Sequence, residues 1–371
     1  MTGFNINSCV TPYKNTRLIN SIGERMSKSK VVVIGYGFAG RCFHTYLVNL
    51  AEGLELYGVA TSRSEARADV ERRFGIKVFA SFAEVLADDQ VDLVVLATPN
   101  DLHAAHAIEA MAAGKHVVTD KPMCLSLAEA DAMLAASKEH DRLLSVFQNR
   151  RWDGDFLTVK KVIEEGTLGT PFLIEMFWGQ YGAPGGWRGD AEHGGGKFLD
   201  LGTHLVDQAL QLVDAPVEQV YARFHSPPGW ERDIEAHAMA TITFANGVEA
   251  RVENSSLAKK AKPRWYVLGT QGALVKEGLD PQERAMIVED IDSAREAPEH
   301  RARLFTEVAG RPAETVIDSV PGRWRSFYEN IAEALEDRSK LAITPESVRA
   351  AFAVIAAARE SATTGQVVRL A

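Results

Sequence analysis

A six-residue glycine motif between an apolar segment and a helical segment constrains this chain more than any other feature. Val31-Val32-Val33-Ile34 has the pattern of a short buried strand, and the motif Gly35-Tyr36-Gly37-Phe38-Ala39-Gly40 then leads into a helical stretch that ends near Asn49. The spacing is G-x-G-x-x-G, whose glycines permit a tight turn, a close approach of pyrophosphate and close packing of helix on strand. The sequence therefore predicts a dinucleotide-binding turn here. A glycine-rich turn without a ligand is the alternative.

Strands and helices alternate after this motif as far as residue 148. Predicted strands lie at Leu54–Ala60, Ile76–Phe79, Leu93–Ala97, His116–Thr119 and Leu143–Phe147, with helical patterns between them. Such alternation predicts a doubly wound α/β fold with a parallel sheet. We expect residues 28–148 to form a Rossmann nucleotide-binding domain, preceded by a flexible extension of residues 1–27.

The end of the second predicted strand bears on the choice of nucleotide. Enzymes that use NAD commonly place an acidic residue there to bind the ribose 2′-hydroxyl. This chain has Thr61-Ser62-Arg63 instead, and a guanidinium pairs well with a 2′-phosphate. Ser62 and Arg63 therefore favour NADP, with NAD still possible. The alternative is that Ser62 only caps the next helix, with Glu65 completing a capping box.

Two further strand ends carry polar residues, and ligands of such sheets bind at the carboxyl ends of the strands. Thr98 and Asn100 follow one strand and are expected to border the nucleotide, with His103 close enough to touch it. The next strand ends in Asp120-Lys121-Pro122, which points a lysine towards the same crevice. His103 and Lys121 each have an alternative interpretation as ordinary surface residues.

A helical segment in the second half carries a polar stripe. Gly194-Gly195-Gly196 precedes it, and Asp200, His204, Asp207 and Gln211 fall on one side of an otherwise apolar helix that extends to Asp214. The apolar side predicts packing against a core, so the stripe is expected to face solvent or a cleft. A solvated stripe without function is the alternative.

In this order, the glycine motif, Asp120-Lys121-Pro122 and the Gly194–His204 segment resemble the glucose–fructose oxidoreductase / inositol dehydrogenase / MocA family. The resemblance covers the chain from about Lys30 to its C-terminus. It implies a second, α/β domain at residues 149–371 with a large, mostly antiparallel open-faced sheet that binds substrate and forms a homodimer or homotetramer. It also implies NAD(P)-dependent oxidation or reduction of a carbinol in a sugar, cyclitol or related compound.

The resemblance implies roles for individual residues. The family's catalytic Asp-x-x-x-His matches Asp200 and His204, and its Glu-Lys-Pro matches Asp120-Lys121-Pro122. Aspartate instead of glutamate shortens an expected contact to the nicotinamide ribose. We expect Lys121, Asp200 and His204 to be catalytic and to touch the substrate, because histidine titrates near working pH and lysine can stabilise alkoxide charge.

A narrower resemblance is to the NADP-dependent scyllo-inositol dehydrogenase branch. It rests on the segment from Gln148-Asn149-Arg150-Arg151-Trp152 to Lys160 and on Asp200–Gln208. Arg150, Arg151 or Trp152 is expected to shape the polyol pocket, with Arg151 and Trp152 assigned to substrate. Trp187 and Arg188 match a pair that lies near the nicotinamide in relatives; an exposed loop is the alternative.

Composition excludes several classes of protein. The 371 residues carry a net charge of −9, which argues against nucleic acid or an acidic membrane surface as partner. Three scattered cysteines indicate a reducing compartment, and the absence of a signal-like or membrane-spanning apolar run favours the cytoplasm. No Cys/His cluster completes a metal site around Asp200 and His204, so no metal is expected.

Other functions remain open beside a polyol or cyclitol dehydrogenase. One is an enzyme that holds NAD tightly, oxidises a glycoside transiently and eliminates its aglycone. Another is a keto-sugar reductase, and a further one is a non-catalytic NADP-binding regulator. The presence of Lys121, Asp200 and His204 disfavours the regulator, and Ser62-Arg63 disfavours the NAD-dependent glycosidase.

Overall fold

A computed structural model describes residues 28–370, and the predicted extension of residues 1–27 lies outside the described part. Two sheets organise the chain. The boundary predicted between residues 148 and 149 stays a prediction, although the polypeptide leaves the first sheet close to it.

The first sheet is parallel and has six strands in the order β3-β2-β1-β4-β5-β6. Its valine-rich central strands are buried on both faces, as a parallel sheet covered by helices requires. The strands are β1 (Ser29–Ile34), β2 (Leu54–Ala60), β3 (Lys77–Phe79), β4 (Leu93–Leu96), β5 (His116–Thr119) and β6 (Leu144–Val146).

Two helices of the first sheet, Phe82–Leu86 and Leu127–Glu139, begin at a serine side-chain cap. Ser126 caps α5 with Glu129 as its capping-box partner. The helices are α1 (Thr45–Leu50), α2 (Ser64–Phe74), α3 (Phe82–Leu86), α4 (His103–Ala112) and α5 (Leu127–Glu139), with a wide π turn at Gly40–His44 before α1 and a 3-10 turn at Asn100–Leu102 before α4. The fold class expected for the first half is confirmed.

The second sheet has nine strands in the order β14-β13-β12-β11-β7-β10-β9-β8-β15, and only β7 and β10 run parallel. The mostly antiparallel sheet implied by the resemblance is confirmed. Its strands are β7 (Pro171–Gly179), β8 (Val217–His225), β9 (His237–Phe244), β10 (Glu249–Ser255), β11 (Trp265–Gly269), β12 (Gly272–Lys276), β13 (Ala302–Val308), β14 (Arg311–Ile317) and β15 (Val368–Arg369).

One face of this sheet is covered and the other is open. Along β9, alanines and Ile242 are fully buried, whereas the residues between them remain partly exposed. The helices that follow the first sheet are α6 (Gly154–Glu164), α7 (Thr203–Leu212), α8 (Gln282–Ile287), α9 (Arg325–Glu336) and α10 (Pro345–Thr364). Short 3-10 or π turns lie at Asn149–Trp152, Gly186–Gly189, Phe198–Gly202, Ile291–Ser293, Pro298–His300 and Arg338–Lys340.

The last long helix joins the two sheets. Thr344 caps α10, which packs against α5 and β6 on one side and against α7 and β8 on the other. The segment Arg338–Thr364 is long and apolar enough to cross a membrane by composition alone, but 50% of its apolar window is buried inside the protein. Its packing is that of a core helix.

The helix predicted after the glycine run differs in detail. A π turn at Phe198–Gly202 precedes α7, so the segment is not one regular helix. The prediction that the whole polar stripe faces solvent or a cleft is wrong at Asp207. That carboxylate is 2% exposed and is paired with Arg151 inside the protein.

Candidate functional site

A groove of about 570 Å³ lies at the carboxyl edge of the first sheet, along the glycine motif. Gly35 has φ +95°, and a Cβ there would lie 2.5 Å from the carbonyl oxygen of Ala97. A Cβ at Gly40 would lie 2.1 Å from the carbonyl oxygen of Gly35, whereas one at Gly37 would meet nothing within 4 Å. Two glycines thus permit the turn, and the third leaves open space on the groove side.

The groove fits a dinucleotide. The hydroxyl of Thr98 lines it and is buried without a hydrogen-bond partner within residues 28–370. Ser62 and Arg63 line the same groove at the end of β2 and are exposed. The capping alternative for Ser62 is not what the structure has, because Arg63 precedes α2 and no side chain caps it.

Two residues predicted to touch the nucleotide, Tyr36 and Asn100, are placed differently from expectation. Tyr36 contributes only its backbone, because its side chain is buried and its hydroxyl donates to Asp69 at 3.1 Å. Asn100 lines the groove, but its amide donates to the carbonyl of Gly194 at 3.1 Å and so holds the glycine run against the first sheet. Both residues therefore shape the groove from its wall.

His103 is neither a surface residue nor part of the groove. It is fully buried, with Nδ1 at 2.8 Å from the carbonyl oxygen of Pro122 and Nε2 at 3.0 Å from that of Thr98. Burial lowers its pKa. His103 ties together the segments after β4 and β5, and its predicted contact with the nucleotide is not supported.

A second cavity of about 230 Å³ adjoins the groove. Phe38, Ala39, Asp120, Lys121, Arg188 and Asp200 line both spaces and form their common wall. The rest of the cavity is lined by residues from both halves of the chain, namely Phe43, Phe147, Asn149, Arg150, Trp178, Gln180, Lys197, Leu201, His204, Glu283 and Trp324.

Lys121 and Asp200 meet on the common wall. The Lys121 ammonium donates to Asp200 Oδ1 at 2.5 Å and to its carbonyl oxygen at 2.6 Å. Burial alone would raise the pKa of Asp200, but Lys121, Arg188 and Lys197 lower it below its ordinary value. An ammonium has three N–H donors, so Lys121 retains one for a ligand. Lys121 precedes a cis peptide bond to Pro122.

His204 reaches the cavity from the first turn of α7. Its Nδ1 donates to Gln148 Oε1 at 3.0 Å, and its ring stacks on Trp178 with a centroid distance of 6.2 Å. Burial lowers the pKa of His204 well below its ordinary value, helped by Lys121, Arg150 and Arg264. With the proton on Nδ1, Nε2 is free to accept a proton from a ligand.

Gln148 was missed as a site residue. It lies two residues after Val146, the last residue of β6, so its position at a strand's carboxyl end was the available signal. The interaction with His204 joins residues 56 positions apart. Local sequence pattern does not reveal such a pairing.

Asp120 lies next to a buried pair of residues, His44 and Tyr328. His44 lies 2.6 Å from the Tyr328 hydroxyl through Nδ1 and 3.6 Å from Asp120 Oδ2 through Nε2. Burial would raise the pKa of Asp120, but His44 and Lys121 lower it to about 2. The shorter aspartate at this position is thus held ionised on the common wall.

The pocket residues predicted from the Arg150-Arg151-Trp152 run need correction. Arg150 lines the cavity, with its guanidinium 4.2 Å above the Trp178 ring. Arg151 instead pairs with Asp207 at 2.7 Å, and Trp152 packs edge-on against Phe327 in the core. These contacts take Arg151 and Trp152 away from the substrate position that we predicted.

Arg188 lies on the common wall, as expected for a residue near the nicotinamide. The side chain of Trp187 lies outside the described part of the structure, so its predicted contact stays a prediction. Within residues 28–370, no group of three or more His, Cys, Asp or Glu residues is arranged to hold a metal ion.

Comparisons with known proteins agree with this architecture. Residues 29–148 match the model of an oxidoreductase family with an NAD-binding Rossmann fold, and residues 156–275 match the GFO/IDH/MocA C-terminal domain. A scyllo-inositol 2-dehydrogenase (NADP(+)) of Bacillus subtilis is 31% identical, covering 95% of this chain and 97% of its own length. A 1,5-anhydro-D-fructose reductase of Ensifer adhaerens is 31% identical over 73% of this chain and 86% of its own.

A solved structure, that of a putative oxidoreductase of Bacillus subtilis, superimposes with a TM-score of 0.86 at 30% identity, covering 92% of this chain and 98% of that one. The fold, the nucleotide groove and these relatives define an oxidoreductase that acts on CH–OH groups. The chain belongs to the Gfo/Idh/MocA family.

Proposed function

We propose that this protein catalyses the reversible, NADP-dependent oxidation of a secondary alcohol in a cyclitol or sugar, with scyllo-inositol as the model substrate. The observation that carries this proposal is the meeting of Lys121, Asp200 and His204 where the nucleotide groove opens into the cavity. When bound, NADP would accept the hydride from the carbinol carbon. His204 would accept the accompanying proton, and Lys121 would stabilise the negative charge that develops on the oxygen.

His204 is the proposed acceptor of the hydroxyl proton. A base must be neutral to accept a proton, and the lowered pKa of His204 keeps its imidazole neutral at ordinary pH. The bond from Nδ1 to Gln148 leaves Nε2 as the accepting atom. In the direction of reduction, the same residue would return the proton to the oxygen.

Lys121 is proposed to donate its remaining N–H to the reacting oxygen. The donor would stabilise the alkoxide character that develops as the proton leaves. Asp200 holds the ammonium from one side through two hydrogen bonds, which limits its rotation. Asp200 is therefore proposed to orient Lys121 and to remain ionised throughout the reaction.

Ser62 and Arg63 would hold the 2′-phosphate of NADP at the far end of the groove. Both residues line that space, and no acidic side chain lines it near the end of β2 within the described residues. The Bacillus subtilis relative carries NADP in its name, which supports the same choice. The Gly35–Gly40 turn would hold the pyrophosphate, with Thr98 beside it.

The second candidate is a keto-sugar reductase, whose main reaction is reduction of a ketone rather than oxidation of a polyol. The Ensifer adhaerens relative is named as a reductase of a keto-sugar derivative, and the same lysine and histidine would serve reduction.

We also propose a cytoplasmic location, which the sparse cysteines support.

The test uses purified protein with NADP or NAD and a panel of inositols, aldoses and keto-sugars, followed by NADPH absorbance. Reduction of NADP by scyllo-inositol, faster than that of NAD, is the expected result. Preference for NAD would overturn the role given to Ser62 and Arg63. If no alcohol or ketone reacts with either nucleotide, the proposed function is wrong, and retained cofactor with glycoside cleavage would be sought next.

A further inference from the structure

A lysine outside the proposed catalytic group lies on the cavity wall. Lys197 is the fourth residue of the Gly194–Lys197 run and is 5% exposed. It lines the cavity but not the nucleotide groove, unlike Lys121, Asp200 and Arg188, which line both. An anionic group that pairs with its ammonium would therefore belong to a ligand in the cavity, where the substrate is proposed to bind, and not to the nucleotide in the groove.

The carboxylates of the cavity are already engaged. Asp200 accepts from Lys121 at 2.5 Å, and Glu283 is bound to Arg150 at 2.5 Å. Asp120 accepts the backbone N–H of Lys121 and faces His44. Within residues 28–370, Lys197 has neither a carboxylate within 4 Å nor a hydrogen-bond acceptor for its ammonium group.

The cavity as a whole carries more cations than anions. Lys121, Arg150, Arg188 and Lys197 line it, against Asp120, Asp200 and Glu283. Burial lowers the pKa of Lys197 and Lys121 lowers it further, while Asp200 raises it. A buried cation without a counter-ion is costly, and a ligand that brings a negative charge removes that cost.

We propose that Lys197 is a substrate-binding residue that pairs with an acidic group of the substrate. The preferred substrate is then a polyhydroxy carboxylate of the hexuronate or aldonate class, in which a secondary alcohol is oxidised next to Lys121 and His204. This inference rests on the proposed function and narrows its substrate class. Neutral cyclitols bind the same cavity without this ion pair.

The position of Lys197 supports a direct role. Lys197 lies three residues before Asp200, and the backbone N–H of Asp200 donates to the carbonyl of Gly196 at 2.9 Å. The glycine run is also fixed by Asn100 and by Glu235, whose carboxylate accepts the N–H of Phe198 at 2.6 Å. The backbone that carries Lys197 is therefore held from both sides.

The experiment compares charged and uncharged forms of one substrate skeleton. Galacturonate and glucuronate are assayed beside their neutral amides and parent aldoses, with wild-type protein, Lys197→Met, Lys197→Arg and the control Lys160→Met. Lys160 is a half-exposed lysine on α6, with 41% of its side chain accessible, and it does not line the cavity. Thermal melting of each variant checks folding.

Wild-type protein and Lys160→Met are expected to prefer the acid to its amide by about tenfold or more in kcat/KM. Lys197→Met is expected to lose at least about tenfold more with the acid than with the amide, and Lys197→Arg to restore part of the preference. Equal use of acid and amide by the wild type, or an equal loss with both in Lys197→Met, would overturn the proposal.

Binding gives a readout that does not depend on turnover. Trp178 and Trp324 line the cavity, so ligand binding is followed by tryptophan fluorescence in the presence of NADP. If neither these compounds nor the inositols and keto-sugars of the first panel react, but the acid still binds more tightly than the amide only when Lys197 is present, the proposed function fails and the binding role of Lys197 stands. If acid and amide bind alike, the binding role is wrong.

Discussion

His204 and Lys121 owe their proposed chemistry to hydrogen bonds that neighbouring residues have already made. Gln148 accepts the Nδ1 proton of His204, and Asp200 takes two of the three donors of Lys121. Each residue is left with one atom free towards the cavity. The two neighbouring arginines differ in the same way. Arg150 lines the cavity, whereas the guanidinium of Arg151 is paired with Asp207 inside the protein.

His204→Gln tests the proposed base. Glutamine keeps a polar group of similar reach but does not titrate, so kcat for alcohol oxidation is expected to fall by about 10²–10⁴-fold. Affinity for NADP should stay near that of the wild type, because His204 lines the cavity and not the groove. His225→Gln, at the exposed end of β8, is the matched control. Retention of wild-type kcat in His204→Gln would remove it from the mechanism.

The pH dependence of oxidation follows from the lowered pKa of His204. An ordinary histidine is half protonated near pH 6.5, whereas His204 stays neutral to lower pH because it is buried beside Lys121, Arg150 and Arg264. The base is active above its own pKa and is lost as pH falls through it. We therefore expect kcat/KM for oxidation to hold its plateau through pH 6.5 and to decline only below it.

The pH profile of kcat/KM is measured with NADP and an alcohol substrate that shows saturation kinetics, in buffers of constant ionic strength. The residual activity of His204→Gln serves as control and should lack that acidic decline. A decline centred at or above pH 6.5 in the wild type would contradict the assignment of a buried, neutral imidazole.

At the scale of elements, the glycines of the Gly35–Gly40 turn have two different roles: Gly40 permits close packing, and Gly37 leaves space for the ligand. Gly40→Ala would place a Cβ 2.1 Å from the Gly35 carbonyl oxygen, whereas Gly37→Ala would place one in open space. We expect Gly40→Ala to lower the melting temperature markedly. Gly37→Ala should melt like the wild type without nucleotide but gain much less stability from NADP, because its methyl group takes space that the ligand needs.

The measurement is a thermal melt of each variant with and without NADP. Gly75→Ala controls for added bulk outside the groove, although its left-handed φ of +61° makes a small loss of stability expected in both conditions. If Gly37→Ala were stabilised by NADP as strongly as the wild type, the groove would not be the nucleotide site.

Elements of the first sheet were predicted closely, whereas several elements of the last third were not predicted at all. Leu127–Glu139 and Phe82–Leu86 each begin at a serine cap, Ser126 and Ser81, which is a local signal. β12, β13, β14, α8 and α9 had not been predicted. Much of β14 is exposed, so it has little apolar alternation to mark it.

At the scale of the whole molecule, the open face of the nine-stranded sheet bears on assembly. We propose that two copies pair through this face, as the family resemblance implies. Thr241 lies on β9, the third strand from one edge of the sheet, opposite Arg251 on one neighbouring strand and Tyr221 on the other. Its chain neighbours Ala240 and Ile242 are fully buried on the covered face, so Thr241 points the other way.

Thr241→Arg is expected to convert the proposed dimer or tetramer to a monomer, because it places a long cation on the surface that is proposed to pair with itself. Sedimentation of wild type and variant measures the mass, and circular dichroism checks the fold. Thr167→Arg, in the exposed turn before β7, should sediment as the wild type. A monomeric wild type would overturn the proposed assembly.

The sequence by itself determined the parallel nucleotide-binding sheet and the family, and it predicted Lys121, Asp200 and His204 as site residues, because these depend on short motifs and local periodicity. Only the tertiary structure decided that Gln148 supports His204, that His44 and Tyr328 stand behind Asp120, and that Lys197 faces the cavity. It also showed that Arg151 is paired with Asp207 rather than placed in the substrate cavity, and that His103 is buried against the Pro122 carbonyl rather than at the nucleotide groove. The physical reason is that a side chain's free donors and acceptors depend on which distant groups the fold brings within hydrogen-bond reach, and those partners leave no local pattern in the chain.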